Sequence, residues 1–213
     1  GVFNGCKSLR SITVHPDNPV YDSRNNCNAI IYNGPIQVNI LKGIERTLIN
    51  LNHILIIGCK NTVIPDQVDG IDDEAFDGCE GLFSINIPKT VCYIDPITFS
   101  QCKNLKSITV DPKNNFYDSR DNCNAIIKTA DAELIGGCKE TIIPKSVKTI
   151  GSYAFENRSG LKSVTLPNSV KTIKYSAFKG CSGLTSITLP NSVKTIGASA
   201  FNGCSSLTSV TLP

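Results

Sequence analysis

The sequence has no methionine, no tryptophan and only two histidines, His15 and His53, in 213 residues. Neither histidine sits near a motif that would pair it with a nucleophile, so acyl-transfer chemistry has no visible base. Charge is also sparse. Asp, Glu, Lys and Arg make up 18% of the chain, the formal excess is +3, and no dense Lys/Arg run occurs. That excludes the electrostatic footprint of a nucleic-acid binder. No apolar run is long enough to cross a bilayer, so no membrane insertion is expected, and no signal peptide opens the chain. Aromatic residues are 7% and the carboxylates form no recognisable pair, which speaks against a carbohydrate-active enzyme. The chain begins inside a repeat at Gly1-Val2-Phe3-Asn4-Gly5-Cys6 and ends at Leu212-Pro213. Residues 1–213 therefore read as one repeat domain, a fragment of a longer protein, because a solenoid cut at both ends lacks its polar caps.

What is present is self-similarity. Leu161-Lys-Ser-Val-Thr-Leu-Pro167, Leu184-Thr-Ser-Ile-Thr-Leu-Pro190 and Leu207-Thr-Ser-Val-Thr-Leu-Pro213 start 23 residues apart. Between them lie Val170, Ile173, Ala177-Phe178 and Cys181, then Val193, Ile196, Ala200-Phe201 and Cys204. Leu82 and Leu105 repeat the same step upstream. The period lies in the leucine-rich-repeat range. Ile187 and Leu189 alternate with Ser186 and Thr188, the signature of a strand with one buried face, and proline closes it. Each coil buries its apolar side only against its neighbours. The expected fold is a leucine-rich-repeat solenoid (α/β-type, mostly β): a single right-handed coil of about eight turns with a parallel sheet on one face. Strands are expected at Ser11–Val14, Ser84–Ile87, Ser107–Val110, Ser163–Leu166, Ser186–Leu189 and Ser209–Leu212.

A longer unit also recurs. Leu9 to Ile31 matches Leu105 to Ile127, including Tyr21-Asp22-Ser23-Arg24 against Tyr117-Asp118-Ser119-Arg120. In the second copy, Asn124–Ile127 and Leu134–Gly137 flank Thr129-Ala-Asp-Ala132, which reads as a β-hairpin protruding from the coil. The first copy holds 17 more residues between Cys27 and Cys59 than the second does between Cys123 and Cys138. The unmatched stretch Asn33–Asn50 is a longer hairpin or an irregular loop, giving two insertions in all.

With these residues in view, the chain resembles the BspA-like leucine-rich repeat family. Its pattern is Leu-x-Ser-Ile/Val-Thr-Leu-Pro-x-Ser-Val-x-x-Ile-x-x-x-Ala-Phe-x-Gly-Cys, with a typical Tyr-Asp-Ser-Arg-x-Asn-Cys-Asn-Ala-Ile-Ile insert. The likeness covers nearly the whole chain. It departs at Asn33–Asn50, at Arg158 where other copies have Cys, and at Cys92-Tyr93 where others have Lys-Thr. The resemblance implies a surface-exposed or secreted protein of a host-associated bacterium or parasitic protist. It also implies adhesion to host proteins such as fibronectin and fibrinogen, and no catalytic residues.

Ten cysteines invite a metal or redox reading, but no Cys-x-x-Cys occurs. Cys6, Cys79, Cys102, Cys181 and Cys204 share one repeat position, as core thiols stacked coil on coil would. Cys27 with Cys59 and Cys123 with Cys138 flank the hairpins. Ile126 opposite Ile135 would set Cys123 across from Cys138, leaving a disulfide open at each site. The Tyr-Asp-Ser-Arg clusters read as backbone braces rather than a ligand site. Lys148, Lys171 and Lys194 form a basic row on the outer side, and Asp69, Asp72, Asp73 and Glu74 an acidic patch without calcium-loop spacing. No cofactor and no metal is expected.

The reading is a non-enzymatic interaction module, extracellular or on the cell surface. Its partner is a protein, host extracellular matrix included, or a glycoprotein. The alternative is a structural stalk that spaces another domain from the surface. The candidate binding face is the outward alternation of the strands: Arg10, Ser11, Thr13, Lys106, Ser107, Thr109, Lys162, Ser163, Thr165, Thr185, Ser186, Thr188, Thr208, Ser209 and Thr211.

Overall fold

A computed structural model describes residues 6, 8–42 and 45–212. The partial repeat at Gly1–Gly5 and the terminal Pro213 lie outside the described residues. The chain winds into a mostly β solenoid of about six turns, fewer than the eight expected. The stretch from Leu9 forms no ladder on the first face, and the stretch from Leu207 ends after one strand.

On the first face, Ser84–Ile87 pairs in parallel with Ser107–Val110, and Ser186–Thr188 with Ser209–Thr211. Burial alternates as the sequence dictates in the first three, where Ile85, Ile87, Ile108, Val110 and Ile187 point inward between exposed Ser, Asn and Thr, whereas all of Ser209–Thr211 is exposed. Two expected strands, Ser11–Val14 and Ser163–Leu166, carry no ladder. The coils that carry insertions interrupt the face. There Val63 and Ile142 donate their N–H groups into the insertions, to the carbonyls of Cys27 and Cys123, both at 3.0 Å.

Parallel pairing also runs along another side, in two separate sheets, where only an inward Val/Ile pair was expected. Thr149–Ile150, Thr172–Ile173 and Thr195–Ile196 stack in register, and Gly70–Ile71 pairs with Tyr93–Ile94. Each insertion joins one of these two sheets. Ala125–Lys128 and Glu133–Gly137 form an antiparallel hairpin whose second strand pairs in parallel with Thr149–Ile150. This hairpin does not protrude, because Ile126, Ile127, Leu134 and Ile135 are all buried between neighbouring coils. The first insertion is the longer hairpin, Ile30–Lys42 with Glu45–Ile57. Its base joins the sheet through Leu55 and Ile71, but outward of Asn33 and His53 its strands pair only with each other.

The turns between this second side and the Cys position also bond from coil to coil. The N–H of Phe155 donates to Ala177 O (2.7 Å) and that of Phe178 to Ala200 O (2.8 Å). Inside this wall run stacked rings, Phe155–Phe178 at 5.0 Å and Phe178–Phe201 at 5.4 Å, with Phe76–Phe99 as a separate pair at 5.4 Å. The two runs are separated by the coil that carries the second hairpin, where Gly137 stands and a side chain would strike Phe155.

Candidate functional site

All fifteen candidate residues of the strand face are exposed, from Arg10 to Thr211. Alternation brings them to one side of each coil but not into one continuous sheet, since the ladder breaks at the insertion coils. Lys106 lies over the Phe83 ring at 5.5 Å, and Thr109 donates to Asn86 Oδ1 at 2.9 Å. Hydroxyls and short amides dominate this face, which suits many modest hydrogen bonds rather than one deep anchor.

At the break sits a cleft of about 550 Å³, lined by Ser107–Pro112 on one side and by Asp118, Arg120, Asn122, Asn124 and Glu140 on the other. The Asn124 amide fills part of the gap left by the missing strand. Its Oδ1 accepts from the N–H of Ile108 (2.6 Å) and its Nδ2 donates to Lys106 O (2.7 Å). The sequence reading did not single out this side chain. The signal available was the Asn-Cys-Asn triplet repeated in both insertions, with Asn28 and Asn124 both at positive φ.

The Tyr-Asp-Ser-Arg clusters are the expected braces. Arg24 is paired with Asp22, whose Oδ2 also accepts from Asn33 Nδ2 at 2.6 Å, and Ser23 donates to Ala29 O at 2.6 Å. Arg120–Asp118 and Ser119 to Ala125 O (2.5 Å) repeat the arrangement. Burial alone would raise the Asp22 carboxyl, but hydrogen bonds from Arg24 and Asn33 outweigh it and hold its pKa at about 2.

All ten cysteines are free thiols, including both pairs left open above. A bulge at Ile135 sets Ile126 opposite Gly136, not Ile135, so the register that would have faced Cys123 with Cys138 is not adopted. Cys102 and Cys181 are buried, and burial pushes both thiols up to about 12. Cys79 and Cys204 are only half-buried and Cys6 is exposed, so the core ladder is less complete than expected. The sulfurs of Cys102, Cys181 and Cys204 donate to the preceding phenylalanine carbonyls, Phe76 (3.8 Å), Phe155 (3.0 Å) and Phe178 (3.2 Å). Within the acidic patch, Asp69 is committed to structure, accepting the N–H groups of Asn52 (2.9 Å) and His53 (3.0 Å). Among the described residues no group of three His, Cys, Asp or Glu side chains is placed to hold a metal.

A family model described as a BspA type leucine rich repeat region matches six copies over residues 56–129 and 135–213, most of the chain. A leucine-rich repeat protein from Eubacterium ventriosum is similar in structure, with TM-score 0.62 and 24% identity over 70% of this chain and 40% of its own. A leucine rich cell surface protein from Faecalibacterium prausnitzii gives TM-score 0.53 and 29% identity, covering 70% of this chain and 46% of its own. The pneumococcal vaccine antigen PcpA gives 0.53 and 20%, covering 73% and 50%. The first and last likenesses concern the fold alone. The chain spans half or less of the length of these structures. No curated protein matches it.

Proposed function

The chain belongs to the BspA-type leucine-rich repeat family, and from that premise we propose that it is a non-catalytic interaction module on a cell surface or outside the cell. Its task is adhesion to a macromolecule, a host matrix protein or a glycoprotein. The observation that carries this reading is the strand face, where fifteen Ser, Thr, Lys and Arg side chains stand exposed while most of the apolar residues between them, those of the last copy excepted, turn to the core. Repeat folds use such extended faces for binding. The description of the Faecalibacterium relative as a cell surface protein supports the location.

Specific recognition needs groups that reject other partners, and the near-identical copies after Leu161 offer little variation. We place recognition of a folded protein before Leu161, where the long hairpin extends beyond the coil and the cleft opens beside Arg120. Irregular insertions on a rigid scaffold are the usual carriers of specificity. The regularity of the later copies fits a spacing role for that part, the stalk of the second reading.

The test is capture on immobilised fibronectin, fibrinogen and collagen. Ser107→Glu with Thr109→Glu, and separately a ribbon shortened to the tight turn of the second hairpin, should weaken binding. Thr188→Glu with Thr211→Glu should leave it intact. Loss of binding only in that last variant would place recognition in the regular copies. Absence of binding to any matrix protein would favour the stalk.

A further inference from the structure

The second side carries one feature that the strand face does not share. Lys148, Lys171 and Lys194 occupy the same repeat position, immediately before the paired threonines Thr149, Thr172 and Thr195. Their backbones are tied into one ladder. The N–H of Lys148 donates to Ala132 O (3.0 Å), that of Lys171 to Lys148 O (2.8 Å) and that of Lys194 to Lys171 O (2.8 Å). The three residues therefore rise one strand spacing apart, roughly 4.8 Å per step. All three side chains are exposed.

No carboxylate lies within ion-pair distance of any of the three among the described residues, although the neighbouring lysines find one. Lys174 meets Glu133 at 2.8 Å, Lys179 meets Glu156 at 2.9 Å and Lys139 meets Glu140 at 3.5 Å. Three ammonium groups held in a fixed row repel one another. Nothing in the fold requires lysine there, since the equivalent positions in the earlier coils hold Asp69 and Cys92. The row is a concentrated positive stripe on a chain of small net charge.

A row of identical groups at constant spacing is poorly suited to a unique protein epitope, because a shift by one coil presents the same groups again. The same property suits a polymer whose charge repeats along its length. Every register is then productive, and the contacts add as linked binding events. The groups beside the row narrow the class further. The threonine hydroxyls can donate to and accept from sugar hydroxyls. A few residues on, Tyr175, 48% exposed and edge-on to Tyr153 at 5.5 Å, offers a ring face for a sugar to lie against.

We propose that Lys148, Lys171 and Lys194 form a binding stripe for a linear acidic polysaccharide, one bearing sulfate or uronate groups along its chain. This site lies on the second side and does not depend on the strand face or on the hairpin. It gives the regular copies a ligand matched to their regularity.

The experiment is heparin binding by the full chain at low and physiological salt, with neutral dextran and oligothymidylate as comparison probes. Heparin should bind, less tightly as salt rises, and dextran should not. The triple variant Lys148→Gln, Lys171→Gln, Lys194→Gln should bind heparin about tenfold more weakly, as loss of several exposed charge contacts predicts. The triple Lys→Arg variant should retain binding. A control, Lys60→Gln with Lys89→Gln and Lys113→Gln, removes the same charge from the earlier coils and should change nothing. Melting curves of the ladder variants should match the parent, since Lys148, Lys171 and Lys194 are solvent-facing. Failure of heparin to bind, or equal weakening in the ladder and control variants, would overturn the proposal. Oligothymidylate bound as tightly through the same lysines would make the stripe a general polyanion surface and refute the assignment to a polysaccharide.

Discussion

The guanidinium of Arg158 donates from Nη2 to the carbonyl of Phe99 at 2.9 Å, across 59 residues and through the coil that carries the second hairpin. Arg158 stands where other copies have cysteine. A cysteine sulfur reaches only the coil before it, as Cys181 does to Phe155 O. The coil before Arg158 has Gly137 in place of a phenylalanine. The longer side chain bonds Gly137 O on the way (2.8 Å), Glu156 O beside it (3.1 Å), and Phe99 O beyond. Arginine thereby carries the ladder across the insertion. It is 1% exposed and burial pulls its pKa down, yet its donors are met by carbonyls rather than by a carboxylate.

Replacing Arg158 with Met keeps much of the volume and removes every donor. Phe99 O would keep only the N–H of Cys102 (3.0 Å), and Gly137 O would lose its bond from the guanidinium. We expect a loss of about 1.5–3 kcal/mol in urea unfolding, the worth of a hydrogen bond from a charged group. Arg158→Cys, which restores the repeat residue, should be no better, because sulfur cannot span to Phe99. A variant as stable as the parent would show that the bridge is dispensable.

The thiols should divide by coil. Alkylation at neutral pH needs thiolate, and burial raises Cys79 and Cys123 to about 11 and Cys102 and Cys181 to about 12. Native protein treated with iodoacetamide should be labelled first at exposed Cys6, with Cys102 and Cys181 labelled only after unfolding. Peptide mass spectrometry reads the order directly. Rapid native labelling of Cys181 would contradict the packing.

Phe178 is fully buried and stacks on both sides, 7° from parallel with Phe155 and 4° with Phe201. Phe178→Ala should cost ~3–5 kcal/mol. Phe201 is half-buried, with a stacked ring on one side only among the described residues, so Phe201→Ala should cost less. Equal melting temperatures for the two variants would mean that stacking from the second side adds nothing.

These cores were legible in the sequence because a four-residue strand with one wet face writes its alternation plainly, as Ser84-Ile-Asn-Ile87 does. The pairing on the second side was not, since Thr149–Ile150 is too short to show a period. The second hairpin was found but misplaced. Ala125-Ile-Ile127 is buried on both faces and gives a continuous apolar run, which does not say which coil covers it. The Ile135 bulge beside Gly136-Gly137 also lay beyond a simple cross-strand count. Exposure of the candidate face followed from alternation. The cleft beside it did not, because it arises where a strand is missing and the Asn124 amide takes up part of the vacancy.

Acid should weaken the braces at both insertions. The folded Asp22 carboxyl is lowered from 3.8 to about 2 and Asp118 is lowered too, so both favour the fold when ionised. That stabilisation is whole above the ordinary carboxylate pKa and is lost as pH falls from about 4 through about 2. Asp72, raised by burial, acts in the opposite sense. The comparison is therefore best made by difference. Asp22→Asn should be less stable than the parent at neutral pH, and the gap should close as pH falls through that window. A gap independent of pH would remove the carboxylate from the account.

Gly136 and Gly137 are adjacent but should respond oppositely to a methyl group. A Cβ on Gly136 would meet nothing closer than Ile126 Cδ1 at 3.5 Å, an ordinary contact. A Cβ on Gly137 would lie 2.3 Å from Phe155 Cε1 and 2.5 Å from Cζ. That ring cannot swing aside, because it is fully buried and packed against Phe178 at 5.0 Å. Gly137→Ala should therefore cost about 1–3 kcal/mol, as overpacking in a filled core does, and Gly136→Ala far less. Phe155→Leu shortens the ring that Gly137 admits, so the double variant should be more stable than the two single losses predict. Residues in direct contact couple by about 0.5–3 kcal/mol. A Cβ on Gly58, in the first insertion coil, would lie 2.5 Å from Phe76 Cε1, so Gly58→Ala should repeat the result. Thermal unfolding of the four single variants and the Gly137/Phe155 pair decides the matter. Additive losses at Gly137 and Phe155, or equal losses at Gly136 and Gly137, would mean that the insertion coil does not admit the next ring through that missing side chain.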